Sequence, residues 1–449
     1  MRTLVAVLTL FASACATAPL TQSPGDPSGA VRSSTRPQNV VLMIADGFGP
    51  ASATLGRTAK GAPLAFDSVL VGSVETSAAD GRVTDSAASA TAYACGPKTY
   101  SGAIGVTPDG TPCRTVLEAA AARGMATGLV ATSRVTDATP AAFAAHVADR
   151  DGEAEIARQM AASGVDLLFG GGARLFAGSS DAAPTDPAPL AEAMAADGWA
   201  VALDRAGYDA LGALPAAALL APSNLAYEID RGGTDQPSLA EMTEKALGLL
   251  AAEADGRGFF LVVEGSRIDD AAHRNDPAAH LGDVLAYDRA VATALAWAAR
   301  DGNTLVVSTA DHETGGLTLG RDNANVWDPA PLLRATASFE AMAARIGSGE
   351  DAAEVIRQAL GYDSLPEGAA EVFRDAVAAR DPSALLPLLE SLASEPAGVG
   401  WTTKGHTAVD VGLYAWGPGA DRFRGAMAND AVGRALFTVL GLEAAGDGR

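Results

Sequence analysis

The chain has 449 residues, 48% of them hydrophobic, which is enough for a large buried core. Its 54 Asp and Glu residues outnumber its 32 Lys and Arg residues, so the formal net charge is −22. This balance argues against binding nucleic acid or anionic membranes through net charge. The negative net charge is also unfavourable for an enzyme that acts on anionic substrates, unless local cations make the electrostatic potential at the binding site positive.

The N-terminus has the features of an export signal. One basic residue, an apolar stretch and small residues lead to Cys15, and this run is too short to span a membrane. Residues 12–15, Ala-Ser-Ala-Cys, resemble a bacterial lipobox and predict a signal peptide over 1–14 with lipidation of Cys15; simple signal-peptide cleavage is the alternative. Residues 15–38 are rich in Pro, Ser and Gly, as in a flexible tether. We therefore expect a periplasmic protein or an outer-membrane-anchored lipoprotein.

From residue 39 onward, short apolar segments alternate with Ala- and Leu-rich helical patterns, as in βαβ units. The predicted strands are 39–44, 125–131, 165–170, 258–264, 303–309 and 409–416. The predicted helices include 115–124, 153–163, 238–254 and 284–300. This pattern predicts one α/β catalytic domain over 39–449, a three-layer sandwich around a mostly parallel central sheet. Insertions are expected at about 174–222 and 321–400.

The stretch 83–96, VTDSAASATAYACG, contains two serines and two threonines. Crowded hydroxyls of this kind usually mark a helix start or a turn. A serine such as Ser86 is inert at neutral pH unless it is activated. No G-x-S-x-G sequence surrounds it, and the nearest histidine, His146, is far along the chain. Ser86 could therefore be a nucleophile only with an activator other than a neighbouring histidine.

Apart from Cys15, the chain contains two cysteines, Cys95 and Cys113. In an oxidising compartment they predict one disulfide that closes a short loop. Two free thiols are the alternative.

Polar side chains follow several predicted strands, where the ligands of open α/β sheets bind. They are Asp46, Asp137, Thr139, Arg150, Glu264, Asp269, His273, Asp311 and His312; His406 instead precedes its strand. Asp269 and His273 are four residues apart, on one face of a helix if that segment is helical. Imidazoles with carboxylates suit zinc, and carboxylates with a hydroxyl suit magnesium. Each residue alone is usually a turn, a helix cap or a surface ion pair, so the prediction depends on their joint occurrence.

Six stretches resemble the alkaline phosphatase family, in the order that the family has them. They are ADGFG, TDSAASATAY, DATPAAFAAHVADR, EGSRIDDAAH, STADHETGG and GHTAVDVGLYAWGPGA, and they span residue 39 to about 420. The resemblance implies the family's fold, the hydrolysis of phosphate monoesters, two zinc ions and one magnesium ion, and a homodimer. The partners expected are phosphomonoesters and inorganic phosphate, with no nucleic-acid-binding module and no transmembrane helix in the mature chain.

The resemblance also implies a role for each site residue. Ser86 matches the nucleophile that forms a phosphoserine, and Arg150 matches the arginine that grips the phosphoryl group. The first zinc would be bound by Asp269, His273 and His406, the second by Asp46, Asp311 and His312, and magnesium by Asp46, Thr139 and Glu264. Zinc at the Ser86 hydroxyl would lower the pKa of that hydroxyl, so no histidine base is required. Asp85, Asp137, Asp270 and His146 are expected near the ligands without binding metal.

Two other functions remain open at this stage. Related two-zinc enzymes hydrolyse phosphodiesters, but they would be expected to lack the counterparts of Arg150, Thr139 and Glu264. A catalytically inactive surface protein that binds metal or phosphate would be expected to have lost Ser86 or a ligand. The sequence therefore favours a phosphomonoesterase.

Asp270 departs from the family, where Lys, His or Trp is common at this position. A carboxylate here, close to the acidic Asp137, would add negative charge near the magnesium. This predicts weak product inhibition by phosphate, a strong dependence of activity on added Mg²⁺, and a lower phosphate inhibition constant in Asp270→Lys. The alternative is that Asp270 turns to solvent.

Overall fold

The computed structural model describes residues 36–177, 189–366 and 382–443, together with residues 369 and 371. The predicted signal peptide, Cys15 and most of the tether lie outside this part of the chain. Its strands are β1 (Asn39–Ala45), β2 (Leu70–Glu75), β3 (Ala126–Arg134), β4 (Leu167–Gly171), β5 (Ala200–Ala202), β6 (Ala216–Leu219), β7 (Phe259–Gly265), β8 (Thr304–Thr309), β9 (Glu313–Thr314), β10 (Thr318–Leu319), β11 (Val399–Gly400), β12 (His406–Thr407), β13 (Val411–Trp416) and β14 (Gly425–Ala428).

The described part of the chain also contains α-helices of 4 to 25 residues. They are α1 (Pro50–Lys60), α2 (Ser86–Cys95), α3 (Val116–Ala121), α4 (Ala138–Ala144), α5 (Glu153–Ala162), α6 (Ala173–Phe176), α7 (Leu190–Ala196), α8 (Arg205–Ala210), α9 (Glu228–Arg231), α10 (Leu239–Glu253), α11 (Arg267–His273), α12 (Pro277–Asp301), α13 (Ala330–Arg334), α14 (Phe339–Gly347), α15 (Ala352–Ala359), α16 (Pro382–Ser394) and α17 (Asn429–Leu440). None of these helices is both long and apolar enough to cross a bilayer.

Ten strands form the central sheet in the order β14-β2-β13-β8-β1-β7-β3-β4-β6-β5. Strand β13 is antiparallel to both of its neighbours, and the other pairs are parallel. Every residue of β1, β7 and β8 is buried, as in parallel strands that helices cover on both faces. Helices α3, α4, α10 and α12 contact these central strands or β3. The predicted α/β fold is confirmed.

The two edges of the sheet contain strands that the sequence analysis did not predict. The segment at about 174–222 contains β5 and β6, which extend one edge. At the other edge, β2 pairs with β13, and β14 pairs with β2. Strand β6 is the run AAAL, which is as compatible with a helix as with a strand. Strand β2 is mostly half-buried or exposed, so it lacks the continuous apolar run of a central strand.

Helices of the segment at about 321–400 have an apolar cluster of their own. Phe339, Met342, Val355, Ile356 and Leu389 are each at most 1% exposed within it. Helix α14 is also tied to the main body, because the backbone N–H of Phe339 donates to the buried carboxylate of Asp276. This attachment places the start of α14 beside α11, which follows central strand β7.

Candidate active site

The central strands place several acidic side chains at one edge of the sheet. Asp46 directly follows β1, Glu264 is the penultimate residue of β7, and Asp311 comes two residues after the end of β8. These three strands are adjacent and parallel, so their carboxyl ends meet. All three residues are buried, and the most exposed of them, Asp46, is 8% exposed. Such crowding of carboxylates requires compensating positive charge.

Ser86 is the first residue of α2. The preceding Asp85 caps this helix, since its carboxylate accepts the backbone N–H of Ala88 at 3.0 Å. Ser86 is 3% exposed, and its Oγ lies 3.2 Å from Nε2 of His312. The hydroxyl is therefore at a helix N-terminus, where free backbone amides favour an anion, and beside an imidazole nitrogen.

Asp269, His273 and His406 form a first group that could hold a metal ion. The Nδ1 of His273 faces the Lys404 carbonyl at 2.5 Å, and that of His406 faces the Thr84 carbonyl at 2.8 Å. Because a carbonyl oxygen only accepts, both Nδ1 atoms donate, which directs the lone pair of each neutral ring to Nε2.

These two Nε2 atoms lie 3.1 Å apart, and the Asp269 carboxylate is 3.1 Å from the Nε2 of His273. Two lone pairs facing each other beside a carboxylate require a cation or a proton between them. In the metal-free protein a proton serves, because the hydrogen bond to Asp269 raises the pKa of His273 to about 9. The group therefore fits a metal ion with nitrogen and oxygen ligands.

A second group of metal-binding geometry consists of Asp46, Asp269 and His312. Asp311 is also close, with a carboxylate oxygen 3.3 Å from Nε2 of His312. Burial lowers the pKa of His312 well below its usual value, which leaves its ring neutral, as a ligand must be. Burial and the charges of Asp311 and Asp269 raise the pKa of Asp46 well above its usual value. Asp269 thus belongs to both groups, whereas the sequence analysis had assigned it to the first alone.

In the third predicted set, Asp46, Thr139 and Glu264, the first two members have a buried oxygen that lacks a hydrogen-bond partner. Among the described residues, Oδ1 of Asp46, Oγ1 of Thr139 and Oδ2 of Asp311 are buried without a hydrogen bond. Buried polar atoms in proteins are nearly always satisfied, so these oxygens are suited to cations. Burial and the charge of Asp137 raise the pKa of Glu264 to about 8, which indicates the same need for positive charge.

Arg150 links the loop of Ser86 to the start of α4. Its Nη1 donates to Asp85 at 3.3 Å, and its Nη2 donates to Asp137 at 3.0 Å. Burial opposes the charge, but the carboxylates of Asp137 and Asp85 hold the pKa of Arg150 above its usual value. The guanidinium is therefore a permanently charged and oriented donor next to the N-terminus of α2, where Ser86 lies.

His406 reaches the site through a short ribbon that sequence reasoning did not predict. Strand β12 pairs with β9, placing His406 opposite Thr314. The ring of His406 consequently stacks on that of His312, with centroids 3.6 Å apart. Thr314 was also missed: its Oγ1 donates to Asp269 at 2.5 Å and lies 3.2 Å from Nδ1 of His312. Thr314 therefore contacts Asp269, which belongs to both groups, and His312 of the second group.

Two residues expected near the ligands have partners elsewhere. His146 lies between the Glu118 carboxylate, at 2.8 Å, and the Gly105 carbonyl, at 2.6 Å. The Asp270 carboxylate is held by two donors, Arg267 at 2.6 Å and Asn224 at 2.9 Å. It therefore does not turn to solvent, and the charge of Arg267 compensates its own. The predicted effect of this acid on phosphate inhibition stays a prediction.

Cys95, at the end of α2, and Cys113 are joined by a disulfide. The bond encloses the loop that contains Gly102, whose backbone N–H donates to Asp85 at 3.0 Å. The Asp85 carboxylate therefore accepts from Ala88, Gly102 and Arg150, and is firmly held.

The chain matches the alkaline phosphatase family model over residues 37–442. It is 39% identical to an alkaline phosphatase of Schizosaccharomyces pombe, an alignment that covers 90% of this chain and 81% of the relative. It is 35% identical to alkaline phosphatase 3 of Bacillus subtilis, with coverage of 90% and 89%. The crystal structure of a cold-active alkaline phosphatase from Shewanella sp. superposes with a TM-score of 0.82 at 34% identity, covering 90% of this chain and 99% of that one. Through its motifs, its fold and these relatives, the chain belongs to the alkaline phosphatase family.

Proposed function

We propose that this enzyme hydrolyses phosphate monoesters through a phosphoserine formed on Ser86, with two zinc ions and one magnesium ion as cofactors. One observation carries the proposal: the Ser86 hydroxyl lies at the N-terminus of α2, 3.2 Å from His312, a member of one of the two groups able to hold a metal. A serine in that position needs no histidine base.

The donor sets support the choice of metals. Imidazole nitrogens with carboxylates are typical of zinc, as in the groups around His273 and His312. A hydroxyl with carboxylates, from Thr139, Glu264 and Asp46, is typical of magnesium. When bound, the zinc ions would supply Lewis acidity that lowers the pKa of the Ser86 hydroxyl and of a water molecule and stabilises the leaving oxygen.

The protein's own groups then bind and orient the substrate. Arg150 donates to two nonbridging oxygens of the phosphoryl group, and the first amides of α2 face the same charge. The Ser86 hydroxyl gives up its proton to solvent, and its Oγ attacks phosphorus in line; the Oγ–P bond forms as the bond to the ester oxygen breaks. The alkoxide leaves on the side of His273 and His406 and takes up a proton to become the alcohol.

Water completes the reaction. Its oxygen attacks the phosphorus of the phosphoserine from the side that the alcohol has left, the Oγ–P bond breaks, and inorganic phosphate departs while Ser86 is regenerated. Asp85 and Asp137 hold Arg150 in place through both displacements. A monoester has one more charged nonbridging oxygen than a diester, so this grip favours monoesters.

The N-terminal sequence and the Cys95–Cys113 bond support export to an oxidising compartment, with Cys15 as a candidate lipid attachment site. Family resemblance supports a homodimer.

Turnover of p-nitrophenyl phosphate and of bis(p-nitrophenyl) phosphate, with and without a chelator, tests the function. We expect the monoester to be hydrolysed far faster, activity to be lost with the chelator, and Zn²⁺ with Mg²⁺ to restore it. Faster hydrolysis of the diester would instead support a phosphodiesterase. No hydrolysis of either ester by the metal-loaded protein would support a non-catalytic binding protein.

A further inference from the structure

A continuous series of hydrogen bonds runs from Asp270 in α11 to Arg150, by way of the end of β3 and the start of α4. The Asp270 carboxylate accepts from Nδ2 of Asn224 at 2.9 Å. Oδ1 of Asn224 accepts from Nη1 of Arg134 at 2.9 Å and from the Arg134 backbone N–H at 3.1 Å. Nη2 of Arg134 then donates to Oδ2 of Asp137 at 3.0 Å. The other oxygen of Asp137 accepts from Arg150 at 3.0 Å.

The polarity of this series is determined by the acid at position 270. A carboxylate only accepts, so the NH₂ group of Asn224 must face Asp270 and its carbonyl oxygen must face Arg134. That oxygen meets two donors of Arg134 and fixes the plane of its guanidinium. Asp270 is itself fixed by Arg267, which is 4% exposed and lies 3.6 Å from the centre of the Tyr227 ring. The series therefore starts from a rigid, buried cation.

We propose that Asp270, Asn224 and Arg134 are positioning residues that, through Asp137, hold Arg150 in the orientation that binds the phosphoryl group. This inference depends on the proposed function, because it assumes that Arg150 binds the phosphoryl group of the substrate. Arg134 is central, because Asp137 accepts from Arg150 with one oxygen and from Arg134 with the other. Without Arg134, Oδ2 of Asp137 would lose its donor. The carboxylate would then be held only through Oδ1, by the backbone N–H of Ala138 at 2.8 Å and by Arg150, and would fix the orientation of Arg150 less tightly.

This inference predicts that a cation at position 270 weakens phosphate binding, whereas the sequence alone predicts that it strengthens phosphate binding. In Asp270→Lys an ammonium group would face the NH₂ of Asn224, so two donors would oppose each other. The amide would turn its oxygen to the lysine and its NH₂ to Arg134. This removes the acceptor of Nη1 and of the backbone N–H of Arg134, and leaves Glu153 and Asp137 as the acceptors of its guanidinium. Phosphate binding should therefore weaken in Asp270→Lys, although the substitution adds positive charge near the site.

The variants Asn224→Ala and Asp270→Lys, each loaded with zinc and magnesium, test the proposal by the inhibition constant of inorganic phosphate. We expect that constant, and the KM for p-nitrophenyl phosphate, to rise about fivefold in both variants, which corresponds to one net hydrogen bond. The kcat should change less than KM. In the double variant Asp270→Lys/Asn224→Asp, a carboxylate at 224 accepts from both the lysine and Arg134. It should restore the constant to within about twofold of the wild type.

Asp209→Lys is the matched control, because it makes the same charge change at an exposed ion pair in α8 and should leave the phosphate constant unchanged. The proposal is overturned if Asn224→Ala keeps the wild-type constant, if Asp270→Lys binds phosphate more tightly, or if the double variant is no better than Asp270→Lys. A lowered melting temperature with an unchanged phosphate constant also overturns it, because that is the signature of a merely structural contact. Failure of the proposed function would appear differently, as the absence of turnover and phosphate inhibition in the wild-type enzyme itself.

Discussion

At the scale of single residues, the site is organised by carboxylates that each serve more than one partner. Asp269 belongs to both candidate metal groups, and Asp137 accepts from two arginines. Asp85 caps α2 and also holds Arg150. Changing one such residue disturbs several contacts, so the cleanest test of the phosphate grip is the arginine itself.

Arg150→Ala should weaken the binding of phosphate and of monoesters by about 1.5–3 kcal/mol, the range for hydrogen bonds to charged groups. Diesters should lose less, since they present one less charged nonbridging oxygen. Inhibition by phosphate and the KM values for the two nitrophenyl esters measure the difference.

Arg158→Ala is a suitable control, because it removes an exposed arginine that pairs with Glu155 in α5. Equal losses of binding for the monoester and the diester would contradict the assigned grip.

Most residues of the site could be proposed from the sequence, but the contacts between them could not. Asp46, Asp311 and His312 follow predicted strands, and ligands of open α/β sheets bind at the carboxyl ends of strands, so these residues could be predicted as site residues. Thr314 and Asn224 are common residue types in loops, and their importance comes from neighbours that are 45 and 46 residues away in the chain. Only the three-dimensional arrangement identifies such contacts.

At the scale of elements, short connections determine where the functional groups point. The pairing of β9 with β12 brings His406 to His312. This explains how a residue that precedes β13 can join candidate ligands such as Asp46 and Asp311, which follow their strands. The six predicted strands all exist, with ends shifted by at most three residues, because each is a continuous apolar run. Strands β2, β5, β6 and β14 were missed, because three are short and the other is little buried.

His146 links α3 to the disulfide-enclosed loop, and its protonation should be measurable in the stability of the protein. Both ring nitrogens face acceptors, the Glu118 carboxylate and the Gly105 carbonyl, so the doubly protonated ring satisfies both. The hydrogen bond to Glu118 raises the pKa of His146 above its usual 6.5. Its stabilising contribution is therefore complete below the unfolded-state pKa and is lost as the pH rises through the folded-state value.

Thermal unfolding of the wild type and of His146→Gln, from about pH 5 to about pH 9, tests this linkage. The difference in melting temperature should be largest at the acidic end and should shrink as the pH rises. A difference that stays constant over the whole range would show that His146 contributes by packing alone.

At the scale of the whole molecule, the acidic composition and the anionic substrate are reconciled by the metal groups. The chain carries a formal charge of −22, yet the substrates proposed for its candidate site are anionic phosphate esters. Bound divalent cations and Arg150 would make the site locally positive within an acidic protein. The α/β class was predictable because the apolar periodicity is strong. The strand order was not, because β1 lies between β7 and β8, which come more than 200 residues later.

Removal of the metals should destabilise the protein, and more strongly at higher pH. In the metal-free protein the pKa of Glu264 is raised from 4.5 to about 8, and that of Asp311 from 3.8 to about 7, first of all by burial. Over this interval the folded state binds more protons than the unfolded state, so the stability of the metal-free protein falls as the pH rises. Bound cations replace these protons.

The melting temperatures of chelator-treated and metal-loaded protein should therefore diverge between about pH 5 and about pH 8. Adding Zn²⁺ and Mg²⁺ back should close the gap. Equal melting temperatures with and without chelator throughout this interval would be incompatible with metal ions bound among these carboxylates.

Mass spectrometry of the acid-quenched enzyme can show whether Ser86 carries the phosphoryl group during turnover. In a reaction with p-nitrophenyl phosphate stopped by acid, we expect one added phosphate per chain on the peptide that contains Ser86. The Ser86→Ala variant, loaded with the same metals, should still bind phosphate but should show no adduct and almost no turnover. Hydrolysis by Ser86→Ala at the wild-type rate, or a phosphate located on another residue, would contradict the account.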